Sequence, residues 1–369
     1  MRILFSSNPM FGHVNPILPL AVAASRAGHT VLFATGADMA DHVRRHGVDA
    51  AAVGLTYAES REHRDEPWLD YFARVAGERA HALVPVARAW KPDLVVREET
   101  ELAGAIAAAA TGSRCVVHGL GIPPQAALWE SLRPRVADLA QRWNATEVAD
   151  RFSDVTYVDI CPPSLRRRED CFWAEVQPVR PTAVPTAALD ELPADLATLP
   201  HATTAHVTLG TVYNDNIDLL RTAITALSRL DINVVVTTGP RSEPTALGPL
   251  PRNAVAHTYV PHRLLLPRCS VVVSQGGAGV LFAALAHGLP QLVLPQGADQ
   301  FGNADACVAA GAALSLTGDV SCAAIARSVA RLLDEPVFAI AAAKIGVEID
   351  AMPDVDEAIA SLAGSGARE

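Results

Sequence analysis

The chain of 369 residues has no apolar run long enough to cross a membrane, no CxxC pair and no excess of basic residues. Its 30 Lys and Arg are outnumbered by 40 Asp and Glu, for a formal net charge of −10. That balance argues against a surface built for nucleic acid or an anionic membrane. The six cysteines (Cys115, Cys161, Cys171, Cys269, Cys307 and Cys322) fall mostly in apolar stretches, without zinc or disulfide spacing. Buried, reduced thiols in a cytoplasmic protein are the expectation, so the sequon Asn144-Ala145-Thr146 carries no meaning. The apolar stretch Ile17 to Ala24 is preceded by Asn8, Pro9, Gly12, His13, Asn15 and Pro16. These interrupt any signal-peptide core, and the segment reads as a first strand and helix.

What is present points to a packed α/β protein. Half of the residues are hydrophobic and 19% are charged, and the length exceeds what one core ordinarily supports. Arg2 to Ser6 reads as a strand, Asn8 to Pro16 as a loop followed by a helix to Ala27, and Thr30 to Ala34 as the next strand. The same alternation recurs at Leu94 to Val96, Leu102 to Ala110 and Cys115 to His118. It resumes at Ala205 to Leu209, Ile217 to Leu230 and Asn233 to Thr237. Between Thr56 and Lys91, and between Pro123 and Phe152, longer helices and loops carrying aromatics are expected. The most informative stretch is Cys269 to Gln300. There a buried strand runs into the glycine turn Gly276, Gly277 and Gly279, then an apolar helix, a second buried strand and a polar loop ending in Asp299 and Gln300. Continuous Val/Leu strands joined by helical crossovers imply parallel sheets covered on both faces. Glycines at a strand-to-helix turn let backbone N–H groups approach an anion closely.

Pro178 to Pro200 is rich in Pro, Ala and Thr without clear periodicity, which suits a linker. The expected organisation is an acceptor-binding domain over 1–190 and a donor-binding domain over 191–352. A C-terminal helix over 353–369 is expected to pack back on the first domain. Two doubly wound Rossmann-like α/β domains would face one cleft, with ligands at the carboxyl ends of the strands.

Several segments together carry a family resemblance. They are Gly12-His13-Val14-Asn15-Pro16, Pro92 through Glu98, Val207-Thr208-Leu209-Gly210-Thr211, Tyr259-Val260-Pro261-His262, the glycine turn, and Gly288-Leu289-Pro290-Gln291 through Asp299-Gln300. In this order and spacing the chain resembles the GT-B glycosyltransferases of family 1, in the bacterial branch that decorates antibiotics, macrolides, enediynes and other natural products. The resemblance implies transfer of a sugar from a nucleoside-diphosphate donor, of dTDP or UDP type, to a hydrophobic aglycone. It implies no cofactor or metal beyond the nucleotide sugar itself; a homodimer is a further expectation.

His13, just past the first strand at a helix N-terminus, is the expected general base, because the helix dipole disfavours imidazolium and transfer to a hydroxyl requires proton removal. Glu98, with Glu99 and Glu101 as neighbouring rivals, is expected to hold the other imidazole nitrogen. On the donor side the resemblance assigns Tyr259 to base stacking and the backbone of Val260 to the base edge, with His262 beside them. Gly210, Thr211, Gln275, Gly276, Gly277, Gly279 and Val280 fall to the diphosphate, and Asp299 and Gln300 to the sugar hydroxyls. Trp68, Tyr71, Phe72 and Trp129 line an acceptor pocket or belong to the core; the sequence leaves both readings open.

Three positions depart from the family. Gln275 stands where relatives carry histidine, Val280 where they carry Ser or Thr, and Ala283 where many carry a glutamate. Gly277-Ala278-Gly279 followed by Asp299 also echoes a dinucleotide fingerprint, but Phe282 occupies its third glycine. Asp354-Val355-Asp356 follows Pro353 at a helix start, where capping explains the acids better than a metal. The leading expectation is an inverting glycosyltransferase acting on a hydroxyl. A non-catalytic helper that binds nucleotide or aglycone, and a nucleotide-sugar epimerase of the same architecture, remain as alternatives.

Overall fold

The computed structural model describes residues 1–62, 66–166, 172–183, 191–211, 216–318 and 320–364. The chain divides into two compact units. Unit 1 comprises Met1–Cys161, Arg167–Pro185 and Met352–Glu369, and unit 2 comprises Pro162–Arg166 and Thr186–Ala351.

Unit 1 is built on seven strands: β1 (Arg2–Ser6), β2 (Thr30–Thr35), β3 (Ala50–Ala52), β4 (Leu94–Glu98), β5 (Arg114–His118), β6 (Thr156–Asp159) and β7 (Glu175–Pro178). All pair in parallel, in the order β3-β2-β1-β4-β5-β6-β7. The order reverses between β1 and β4, and at such a switch point helices leave the sheet on opposite faces and open a crevice beyond the strand ends. Buried side chains explain the central strands: every residue of β4 is buried, as a doubly covered sheet requires.

Helix Phe11–Arg26 begins five residues before the loop expected to reach Pro16 ends, and it contains Pro16 and Pro19. An interior proline costs about 3 kcal/mol. Against this the helix buries Val14, Ile17, Leu18 and Leu20, at roughly 1.5–3 kcal/mol for each large aliphatic side chain. Packing outweighs the two prolines. As a result the helix starts early enough to carry His13 in its first turn.

The C-terminal helix Val355–Gly364 packs along helix Phe11–Arg26, where Arg26 pairs with Asp356. Arg180 N donates to Pro353 O at 2.7 Å, Gln177 Nε2 to Ala358 O at 3.0 Å, and Arg114 to Leu362 O. Asp354 Oδ1 accepts from the N–H groups of Asp356 and Glu357 at 2.9 and 3.0 Å, so this D-x-D opens a helix.

Unit 2 has six strands: β8 (Thr204–Thr208), β9 (Asn233–Thr237), β10 (Ala254–His257), β11 (Val271–Ser274), β12 (Gln291–Val293) and β13 (Ala313–Ser315). They are again all parallel, in the order β10-β9-β8-β11-β12-β13, with the switch point between β8 and β11. Alternate residues of these strands enter two separate cores. One contains Ala205, Val207, Val234, Val236, Val271 and Val273, and the other Val235 and Val272. Leu192, Leu196 and Leu199, from the stretch expected to be linker, pack against the second core. Among the described residues, no helix is long and apolar enough to cross a membrane.

Candidate active site

In unit 1 the switch point holds a buried acid and a histidine. His13 lies in the first turn of helix Phe11–Arg26, directly after β1, and keeps 16% of its side-chain surface exposed. Glu98 is the last residue of β4 and is fully buried. His13 Nδ1 is 3.0 Å from Glu98 Oε1. Burial alone would raise the Glu98 carboxyl. The adjacent His13 and the backbone and hydroxyl donors of Thr100 overcome that and hold it at about 2. The carboxylate is surrounded by donors: Asn8 Nδ2 at 2.8 Å, Asn8 N at 3.3 Å, Thr100 N at 2.6 Å, and Thr100 Oγ1 at 3.1 and 2.9 Å to its two oxygens. An anion so satisfied remains an acceptor and directs Nδ1–H of the imidazole toward itself, which leaves the ring's lone pair on Nε2.

The rival acids are engaged elsewhere. Glu99 accepts from the Tyr157 hydroxyl at 2.7 Å. Glu101 caps the helix Ala103–Thr111 by accepting from Ala103 N and Gly104 N at 3.0 and 2.9 Å. It also pairs with buried Arg79, Nε to Oε1 at 3.2 Å. Arg79 further donates to the carbonyls of Ala34 and Val53 at 2.7 Å each, so one guanidinium closes the carboxyl ends of β2 and β3.

Of the aromatics assigned to the acceptor, Phe72 is half-buried with its ring 5.6 Å from that of His13. Tyr71 beside it is buried. Trp129 falls on the core side of the two readings: at 1% exposure it packs among Phe172 and Trp173, with centroids 6.2 and 5.5 Å away. Its helix, Ala126–Arg142, turns that face inward together with Leu132, Val136 and Leu139. The side chain of Trp68 lies outside the described residues.

In unit 2 the equivalent switch point carries the glycine turn. Gly276 has φ +86°, and a Cβ there would lie 2.5 Å from Val293 Cγ1, so only glycine fits. Gln275, directly after β11, lays its amide between Gly210 and Gly277; added Cβ atoms there would meet Gln275 Nε2 at 2.1 and 2.8 Å. The glutamine is only 6% exposed and its Oε1 is buried without a partner, while Nε2 is directed along the glycine surface. Gly277 caps the helix Ala278–Ala286. Gly279 in its first turn is exposed, and a Cβ there would meet nothing within 4 Å. The N–H of Gly210 donates to Thr208 Oγ1 at 3.2 Å. Thr211 follows, half-buried.

Tyr259 is 55% exposed, whereas Val260 is fully buried among Val235, Leu265 and Val272. Val280 is buried in that same cluster because its place in the helix turns the side chain inward. Ala283 packs on the cluster's edge. His262 sets its ring edge-on to His206 of β8, at 5.3 Å. Burial and then the charge of His287 push it down to about 4, as expected of a neutral packing residue.

Asp299 is exposed and Gln300 is buried. Gln300 Oε1 accepts from the N–H groups of Gln296 and Gly297 at 2.8 and 3.2 Å, so the oxygen shapes its own loop. Asn303, unmarked by any motif, donates from Nδ2 both to Gly276 O at 2.9 Å and to Asp299 Oδ2 at 2.8 Å, and joins the polar loop to the glycine turn.

Comparison with known proteins places this geometry. Residues 67–181 match the family described as erythromycin biosynthesis protein CIII-like, N-terminal domain, and residues 221–364 match its C-terminal domain. The chain is 34% identical to the L-demethylnoviosyl transferase of Streptomyces niveus, over 86% of each protein. Among solved structures it is similar to the glycosyltransferase SnogD of Streptomyces nogalater, with a TM-score of 0.84, 29% identity and 99% of both chains covered. It is also similar to the glycosyltransferase VinC in complex with dTDP, with a TM-score of 0.79, 27% identity and 100% of both chains covered. With both units matched in sequence and in fold, the chain belongs to the erythromycin biosynthesis protein CIII-like glycosyltransferases, a GT-B group of natural-product biosynthesis.

Proposed function

We propose that this glycosyltransferase transfers a sugar, with inversion, from a dTDP- or UDP-sugar to a hydroxyl of a hydrophobic natural-product aglycone. The observation that carries the reading is the 3.0 Å contact between His13 Nδ1 and the buried carboxylate of Glu98. His13 Nε2 takes the acceptor proton as the acceptor oxygen bonds to the anomeric carbon, and the bond from that carbon to the diphosphate breaks. Glu98 stabilises the imidazolium so formed. In unit 2 the open ring of Tyr259 supports base stacking, which is worth about 1–3 kcal/mol. The leaving diphosphate falls to the backbone N–H groups of the glycine turn, the space over Gly279 and Gln275 Nε2, and no metal is given a role. Asp299 is the sugar contact. Relatives include transferases named for the deoxysugars they move and a structure named for its bound dTDP, which favours the thymidine nucleotide.

The test is calorimetric titration with dTDP and with UDP, followed by turnover of dTDP-glucose by wild type and His13→Ala. General base catalysis contributes roughly 10²- to 10⁴-fold, so His13→Ala should lose at least about 100-fold in rate while keeping the affinity for dTDP. Turnover indifferent to His13→Ala overturns the mechanism, and failure to bind either nucleotide overturns the substrate class.

A further inference from the structure

We propose that Asn8 and Thr100 are positioning residues for the transfer: they fix Glu98 as a carboxylate and confine the proton of His13 to Nδ1. The inference rests on the reading of His13 as the base. Neither residue belongs to a motif; both are found only by following the donors that reach Glu98.

The geometry is that of a closed clamp. Glu98 Oε1 accepts from Asn8 Nδ2 at 2.8 Å, from His13 Nδ1 at 3.0 Å and from Thr100 Oγ1 at 3.1 Å. Glu98 Oε2 accepts from Thr100 N at 2.6 Å and from Thr100 Oγ1 at 2.9 Å. The Thr100 hydroxyl has one proton, which goes to the carboxylate, so the contact of Thr100 Oγ1 with His13 Nδ1 at 3.3 Å can only be one in which the ring donates. Asn8 Nδ2 reaches the same hydroxyl oxygen at 3.3 Å and ties the two clamp residues together. Nδ1 therefore has acceptors on two sides and no donor to receive from. A tautomer protonated at Nε2 would leave the Nδ1 lone pair against two oxygens.

Asn8 follows β1 and Thr100 follows β4, the two strands that flank the switch point, so the sheet itself sets the clamp. Other charges surround it. Arg79 approaches from helix Trp68–Trp90; Arg97, Glu99 and Glu101 lie on or after β4; and His118 ends β5. They are common to every variant below, so differences between variants report the clamp.

Removing one donor concentrates negative charge on Glu98 and makes the imidazolium harder to deprotonate. The test is a ¹⁵N-histidine NMR titration of the full chain, with the His13 signals assigned by their loss in His13→Ala. It is run beside the pH dependence of dTDP-glucose turnover. Asn8→Ala and Thr100→Val should each raise the His13 midpoint by about one pH unit, a tenfold gain in proton affinity, and shift the acid limb of the rate profile equally. Thr100→Ser should restore the wild-type midpoint. In a Glu98→Gln background Asn8→Ala should add nothing, because its effect runs through the carboxylate. A midpoint unmoved by Asn8→Ala and Thr100→Val, or moved as much in the Glu98→Gln background, overturns the proposal. Thermal midpoints measured alongside identify a variant that merely unfolds, and Thr100→Ser then decides. Loss of turnover in His13→Ala together with unmoved midpoints refutes the clamp and leaves the base intact; retained turnover in His13→Ala refutes the base.

Discussion

At Gly279 stability and donor binding are expected to respond in opposite directions. The residue sits in the first turn of helix Ala278–Ala286, exposed, and among the described residues nothing beyond its own helix and chain neighbours lies within 4 Å of where a Cβ would be. Glycine in a helix costs roughly 0.5–1 kcal/mol relative to alanine. Gly279→Ala should therefore stabilise the protein by that amount, a rise of about 1–4 °C in melting temperature for a unit of this size. The proposed function places the leaving diphosphate over this turn. If the diphosphate occupies the open space, the added methyl crowds it at about 1–3 kcal/mol, typical of overpacking. That is roughly 5- to 150-fold in Kd for dTDP. Gly276→Ala supplies the contrast, since its backbone is left-handed and its Cβ would lie 2.5 Å from Val293 Cγ1. There left-handed strain of about 1–2 kcal/mol adds to the clash, and both stability and affinity fall. Scanning calorimetry and titration with dTDP on the two variants decide the matter. A stabilised Gly279→Ala that binds dTDP as tightly as wild type would remove the phosphate from that turn.

Three further outcomes are expected. Arg79→Met leaves Glu101 buried without its cation, and denaturant unfolding should show a loss of about 3–5 kcal/mol; a change below 1 kcal/mol would mean the pair is not buried as described. Burial, first among the causes, holds His206 at about 3 and His42, His118 and His262 at about 4, against an ordinary 6.5. The unfolded chain then takes up protons that the folded one refuses, so stability is complete above pH 6.5 and falls toward pH 4. His206→Leu should flatten that slope in urea titrations across the window, and a parallel slope would contradict it. Tyr259→Ala should weaken dTDP binding about 5- to 150-fold, as the loss of one stacked base implies, without altering the melting temperature, because the ring is mostly exposed; a lowered melting temperature would make Tyr259 a packing residue.

The sequence revealed elements wherever burial fixes composition. Strands such as Asn233–Thr237 and Val271–Ser274, buried along their whole length, are written in valine and are visible as such. The edges were not. Strands Ala50–Ala52, Glu175–Pro178 and Ala313–Ser315 are three or four residues long, carry little β-branched character, and owe their conformation to the neighbour they pair with. The start of helix Phe11–Arg26 is hidden in the sequence for the complementary reason. Two prolines are a strong local signal, and the apolar face that outweighs them acts only once the sheet is present to receive it.

The candidate site divides along the same line. Glycines with a single backbone reason to exist, such as Gly276, and a histidine at the head of a helix announce themselves in one dimension. Side chains that act by donating to another side chain do not. Asn8, Thr100 and Asn303 resemble ordinary loop and helix polar residues until their partners, 90, 2 and 27 residues away, are in place. Val280 shows the converse: it directly follows the glycine turn, yet 3.6-residue periodicity turns its side chain into the core with Ala284. Buried polar groups must find partners or lose roughly 1–3 kcal/mol each, so satisfied clusters of this kind have a structural reason to persist in any case. What separates a positioning cluster from a merely stable one is whether it ends on the reacting group, and the one around Glu98 ends on His13, the base of the proposed mechanism.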